Sequence, residues 1–205
     1  MPTRLTLKVA CAALLTLYAA ADARAQEQPE ERLSSLLDGR VTFTLPPSWD
    51  LQSHVNTPAS GRAQFGVPSP AGDKSRPAKA ILTAKVVPAG VNVRSESDGV
   101  YQNLYEGLAV LSDTFDGDDW RTMVWTVKDK GAAQLVLNRF GLAGRVSVEL
   151  VVVFPSEKND PKLVEQTLAD FNAMTESLRI DGRNRFDRPV RTENLSKPKQ
   201  VNQKP

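Results

Sequence analysis

The sequence predicts an α+β domain: one mainly antiparallel sheet flanked by two helices. Three observations predict it. Trp120 to Phe154 holds three long apolar or alternating segments separated by Lys128-Asp129-Lys130-Gly131 and Gly141-Leu142-Ala143-Gly144, the pattern of a meander. Downstream, Leu163, Thr167, Phe171, Met174 and Leu178 recur at helical spacing, widened by Val164 and Leu168. Upstream, Val100, Leu104, Leu108 and Leu111 repeat at a similar spacing behind a group of shorter alternating segments.

Taken in order, residues 26–35 are polar and are expected to be flexible. Leu36-Leu37-Asp38-Gly39 reads as a turn into a first strand, Val41 to Leu45, which alternates apolar and polar side chains. Pro46-Pro47 ends it, because proline cannot donate to a ladder. A short second strand is expected from Trp49 to Val55. Residues 56–79 are dense in Pro, Gly, Ser and Ala and read as a long surface loop with one strand candidate, Ala63 to Val67. Ala80 to Val87 is a strand stopped by Pro88. Ser95 to Leu111 is expected to be a helix, with Ser95 and Asp98 as a capping box and Tyr101 and Tyr105 beside its stripe. Asp116-Gly117-Asp118-Asp119 is turn chemistry.

The meander follows as Trp120 to Val127, Ala133 to Phe140 and Arg145 to Phe154. In the last strand Val146, Val148, Leu150, Val152 and Phe154 share one face, whereas the other turns from polar to apolar at Val151 and Val153. A helix is the simplest cover for that apolar half. The final helix has Asp160 as N-cap and Pro161 at its first position, and Asp181-Gly182 ends it.

The first 25 residues carry an address. Arg4 and Lys8 precede an apolar run from Val9 to Ala21, and Ala23-Arg24-Ala25 places small residues before Gln26. This is the pattern of a secretory signal cleaved between Ala25 and Gln26. The run is shorter than the roughly 20 residues that span a bilayer. Cys11 is the only cysteine and lies near the start of the apolar run, not after it as a lipid-modified cysteine would. The expected mature chain is therefore soluble and periplasmic, with no disulfide, thiol nucleophile or cysteine metal site.

The 26 basic and 24 acidic residues are unevenly placed. Residues 182–205 hold seven basic and two acidic side chains, and the body from 26 to 181 carries the opposing negative excess. No basic nucleic-acid face results. The tail is read as disordered and solvated; weak peripheral contact with anionic lipid, contact with lipopolysaccharide or a partner's acidic face, and a fold-back onto the acidic body are the alternatives its charge allows.

No residue is assigned to catalysis, to a cofactor or to a metal. His54 is the single histidine, and Ser48, Asp50 and Ser53 lie close to it in sequence. Neighbours on an extended segment do not converge as a triad does. Asp113, Asp116, Asp118 and Asp119 lack EF-hand spacing and read as a solvated turn. Trp49, Trp120, Trp125, Tyr101 and Tyr105 read as packing mass, with Trp120 and Trp125, five apart, on opposite faces of a strand.

The run Leu36-Leu37-Asp38-Gly39-Arg40-Val41-Thr42-Phe43-Thr44-Leu45-Pro46 resembles the opening of the DcrB family of bacterial envelope proteins. The signal, central helix, meander and a last helix followed by Ser177-Leu178-Arg179-Ile180 are compatible with it. The resemblance covers residues 36–180 or so and implies a PsbP-like α/β/α sandwich, located in the cell envelope and without established enzymatic activity. The expected organisation is a signal peptide (1–25), a flexible segment (26–35), a DcrB-like domain (36–182) and a disordered basic tail (183–205). The expected function is a non-enzymatic binding or envelope-maintenance role toward an envelope protein partner. The alternatives are a small-ligand or metal-binding periplasmic domain, a periplasmic hydrolase, and a secretion-effector chaperone of the same fold, against which the export signal argues.

Overall fold

A computed structural model of the chain describes residues 32–70, 78–101, 109–129, 132–156, 159–183 and 189–195. Cys11 and the cleavage positions Ala23, Ala25 and Gln26 lie outside the described residues, as do Leu104, Tyr105 and Leu108. The strands are β1 (Leu33–Leu36), β2 (Val41–Thr44), β3 (Asp50–Asn56), β4 (Ser60–Val67), β5 (Ala78–Val86), β6 (Ala109–Asp116), β7 (Trp120–Asp129), β8 (Ala132–Ala143), β9 (Val146–Pro155) and β10 (Arg179–Ile180). Helix α1 (Val93–Tyr101) lies between β5 and β6, α2 (Pro161–Ser177) precedes β10, and a 3-10 turn spans Thr192–Leu195.

Seven strands form one sheet in the order β3-β4-β5-β9-β8-β7-β6, with every neighbouring pair antiparallel. The other three form a small sheet, β1-β2-β10. Both faces of the large sheet are covered, so the fold is α+β and layered as a sandwich. On the first face, Phe65, Leu82, Leu137, Val148, Leu150 and Val152 join Phe171 and Met174 of α2 and Val41 and Phe43 of the small sheet in one apolar cluster. On the second face, Val93 of α1 packs in a smaller cluster with Met123, Trp125, Val136 and Phe140.

The alternation along β9 directs this layering. Val146, Val148, Leu150, Val152 and Phe154 are all in the first cluster, and Val151 and Val153 pack against the second. Trp120 and Trp125 fall on opposite faces, as their spacing requires. Gly141 lies opposite Trp120 in the ladder, and a Cβ there would land inside the indole ring. Helix α2 begins as its sequence dictates: Asp160 is extended and accepts a hydrogen bond from the Lys162 amide at 2.9 Å, with Pro161 in the first turn.

Five expectations about elements need correction. The chain is already a strand at Leu33, inside the segment expected to be flexible. Leu36 is fully buried, and the Arg32 guanidinium gathers the carbonyls of Pro46 and Trp49 at 2.9 and 2.7 Å. The expected loop 56–79 contains the full-length strand β4, whose Ala63, Phe65 and Val67 face the core. Gly61 reflects close packing, since a Cβ there would meet Leu36 at 2.9 Å. The helix expected from Ser95 to Leu111 starts at Val93, and Leu111 lies in β6. Its cap is Asn92, whose Oδ1 accepts from the Ser95 amide at 2.8 Å while Ser95 Oγ donates to the Asn92 carbonyl; Asp98 does not cap. The turn expected at 141–144 is tighter, because Ala143 and Val146 pair directly and Gly144, at φ +58°, takes the left-handed position between them. Finally, α2 ends at Ser177, and Asp181-Gly182 turns after β10 instead.

Candidate functional site

Three places on the sheet carry polar chemistry or exposed apolar surface. The first is the β6 end. Register pairs Ser112 with Val124 and Thr114 with Thr122, so these side chains share the face that carries Trp120. Residues 189–195 return over that face as a strap. Asn172 of α2 holds it in both directions: its Nδ2 donates to the Val190 carbonyl at 2.9 Å, and its Oδ1 accepts from the Val190 amide at 3.0 Å. Val190 is buried, and the 3-10 turn packs on β6 and β7. Between strap and strands lies a cavity of about 300 Å³. The tail expected to be disordered and solvated is thus ordered over 189–195; polar residues there are held by a side-chain amide, which leaves no periodic signal in the sequence.

The second place lies under α1. Arg121 is 5% exposed and reaches both carboxylates around it. Its Nε and Nη2 donate to Asp113 at 2.9 and 3.0 Å, and its Nη1 donates to Ser97 at 2.7 Å and to Asp98 at 2.5 Å. The Phe115 ring is sandwiched by Arg121 at 4.8 Å and Arg94 at 4.2 Å. Burial works against the Arg121 charge, but the hydrogen bonds and charges of Asp113 and Asp98 outweigh it and raise its pKa. Farther along the same face, Asn138 Nδ2 donates to Glu149 Oε1 at 2.7 Å, and Lys85 pairs with Glu96 of α1 at 2.5 Å. Burial pushes the Glu149 carboxyl above its ordinary range; the Asn138 bond and Lys85 oppose the shift, and Glu96 adds to it. Asn138 Oδ1 is buried without a partner among the described residues.

The third place is β3, at the other end of the sheet. All seven of its residues are exposed, including Leu51 at 47% and Val55 at 62%. Leu33, at 71%, is exposed on β1; the Ser35 carbonyl lies 3.1 Å from His54 Nε2, and the Leu37 amide donates to Asn56 Oδ1 at 2.6 Å.

These positions disperse the residues that sequence proximity groups together. His54 Nε2 lies 3.1 Å from the Ser35 carbonyl, and Ser48 Oγ donates to Asp170 at 2.5 Å, away from His54 and Asp50. In the acidic group Asp113 is engaged by Arg121, Asp116 closes β6 opposite Trp120, and Asp118 and Asp119 form the turn. Trp49, Trp120 and Trp125 are buried at 5% exposure or less and serve as core. The Tyr101 side chain lies outside the described residues. Arg121, Glu149 and the strap cavity were not singled out from the sequence. The bare alternation of Thr122, Val124 and Arg121, Met123, Trp125 could have flagged a charged side chain on a covered face.

No family model and no curated protein matches the chain. Solved structures are similar to it at low identity. One is a protein of Bacteroides thetaiotaomicron, at 13% identity and a TM-score of 0.44, covering 74% of this chain and 48% of that one. The chain thus spans about half the length of that structure. Another is LpqN, involved in cell envelope biogenesis of Mycobacterium tuberculosis, at 13% identity and a TM-score of 0.46, covering 75% of this chain and 86% of that one. A third is the immunity protein TplEi of a type VI secretion system of Pseudomonas aeruginosa, complexed with "L" peptide, at 14% identity and a TM-score of 0.35, covering 82% and 85%. The resemblance to DcrB proteins has no family model behind it. Among the described residues, no helix is long and apolar enough to cross a membrane.

Proposed function

We propose that the chain is an exported, non-enzymatic binding protein of the bacterial envelope, of DcrB type, which presents the β3 edge to a protein partner. The observation that carries this reading is β3 itself. It is the terminal strand of a seven-stranded sheet, and none of its residues is buried. Edge strands are usually blunted by lysine, proline or a bulge, since their free amides and carbonyls template pairing with another chain. β3 contains neither lysine nor proline, and its single irregularity, between Leu51 and Ser53, leaves Ser53 to Asn56 in regular register. Leu51 and Val55 add apolar contact surface to that open ladder, the combination used in recognition by strand addition. Export rests on the signal pattern that ends at Ala25. The non-enzymatic reading is supported by the separate partners of His54 and Ser48, the Ser35 carbonyl and the Asp170 carboxylate.

The test is to place a gatekeeper on the edge. Formaldehyde-treated cells should yield a discrete complex of the wild-type chain that Val55→Lys and Leu51→Lys lose. Both variants should melt as wild type does, since an exposed substitution shifts stability by no more than about 0.5 kcal/mol. Retention of the complex by both variants would refute the assignment of β3.

A further inference from the structure

We propose that the cavity between the C-terminal strap and the β6–β7 face binds a neutral, hydroxylated small molecule of monosaccharide size. This goes beyond the partner surface at β3, which lies at the opposite end of the sheet, and stands or falls independently of it.

The floor of the cavity contains an unusual polar element. Ser112 is 7% exposed and lines the cavity, yet its hydroxyl has no hydrogen-bond partner among the described residues. Thr114, two residues along on the same face and half-buried, also lines the cavity without a hydrogen-bond partner among the described residues. Both hydroxyls line the cavity, so a ligand there can bond them without breaking a hydrogen bond between described residues. A pair of such groups, side by side and aimed into a space that can hold a ligand, is a pre-formed recognition element. Thr122 lies opposite Thr114 but is already used: its Oγ1 accepts from Arg139 Nη1 at 2.9 Å. Among the described residues, the pair left for a ligand is therefore Ser112 and Thr114.

The remaining walls define the ligand's chemistry. Val124 on the floor and Val190 on the strap supply apolar surface, and Arg191 and Asn194 supply donors at the rim. Asn194 Oδ1 is taken by the Arg191 amide at 2.8 Å, which directs its Nδ2 elsewhere. Asp116 and Glu193 also line the space, so an anionic ligand would meet two carboxylates and a cationic one would meet Arg191. A neutral ligand avoids both conflicts. Hydroxyl groups donate and accept at once, as Ser112 and Thr114 do, and the CH faces of a sugar ring match the two valines. A cavity of about 300 Å³ is at the lower limit for small-molecule sites, which selects a single ring over a chain of them.

The strap is what makes this a site. Without residues 189–195, Ser112 and Thr114 would lie on an open strand face and not in a walled cavity. The two-way Asn172 bond holds the strap at the level of Val190, so the roof is tied to the core helix independently of any ligand.

The chain starting at Gln26 can be titrated with glucose and with N-acetylglucosamine while amide shifts are followed by NMR. At least one of the two should produce saturable shifts at Ser112, Thr114 and Asn194. Glucuronate and glucosamine should bind more weakly by about tenfold, and Ser112→Ala with Thr114→Val should weaken binding similarly without lowering the melting temperature. If that double variant does not fold, Asn194→Ala carries the same expectation. The proposal is overturned if neither neutral sugar gives saturable shifts at these amides, if the charged analogues bind as tightly, or if binding survives the substitutions.

Discussion

The two ends of the large sheet are built oppositely. At the β6 end one face is crossed by the strap and the other by α1, and most of β6 is partly or fully buried. At the β3 end no residue of the terminal strand is buried. The difference is one of chemistry as much as coverage. The β6 end is held by charge and amide groups: Arg121 between Asp113 and Asp98, and Asn172 on both backbone groups of Val190. The β3 end is held by its ladder to β4 and by hydrogen bonds to Ser35 and Leu37, and leaves Leu51 and Val55 outside. The ion pairs of Arg121 close one end of the sheet, and the other ends on an exposed strand.

The largest loss is expected from Arg121→Met. It leaves Asp98 and Asp113 facing each other under α1 without a counter-charge. Their side chains are 39% and 34% exposed, so the cost falls below that of a fully enclosed pair, at about 2–3 kcal/mol. Chemical denaturation would measure it; a change under ~0.5 kcal/mol would mean that the β6 end does not depend on this guanidinium.

Asn172→Ala comes next. It removes both bonds to Val190 and should cost about 1–2 kcal/mol. Its sharper signature is local: hydrogen exchange in residues 189–195 should accelerate while β9 keeps its protection. Uniform acceleration across the chain would show that the strap is not tethered separately.

Glu149→Gln should have the smallest effect, and one that depends on pH. Because burial raises the Glu149 carboxyl, the fold favours its protonated form. Its contribution to stability is full below the ordinary carboxylate range and is lost as pH rises through the raised value. The glutamine variant, neutral throughout, should melt above wild type at neutral pH, with the gap closing as pH falls. It can also donate to Asn138 Oδ1 while keeping the Asn138 Nδ2 bond. A gap that is constant with pH would contradict the role assigned to burial.

What the sequence discloses about these ends differs for physical reasons. Periodic elements are legible: the five alternating residues of β9, the Asp160-Pro161 start of α2 and the opposed faces of Trp120 and Trp125 follow from strand and helix geometry. β4 is obscured because close packing on Leu36 selects Gly61, a residue that otherwise signals a loop. Leu111 continues a helical spacing by coincidence, and the tertiary pairing of β6 with β7 overrides it. The charge of the tail allows a fold-back onto the body, but the strap's position and its cavity are not legible. Val190 is fixed by an amide 18 residues away, and Ser112 acquires meaning only once Val190 lies over that face. On β3 the exposed Leu51 and Val55 look like ordinary core residues until the sheet order places them at an edge.

The measurement that tests the open end most directly is site-specific photo-cross-linking in intact cells. A photoreactive residue is placed at Val55 on β3 or at Ala109, an exposed position on β6. Cross-links to a second protein at Val55 with none at Ala109 are the predicted result. Equal capture at both positions, or none at Val55, would contradict the assignment of β3 as the partner edge.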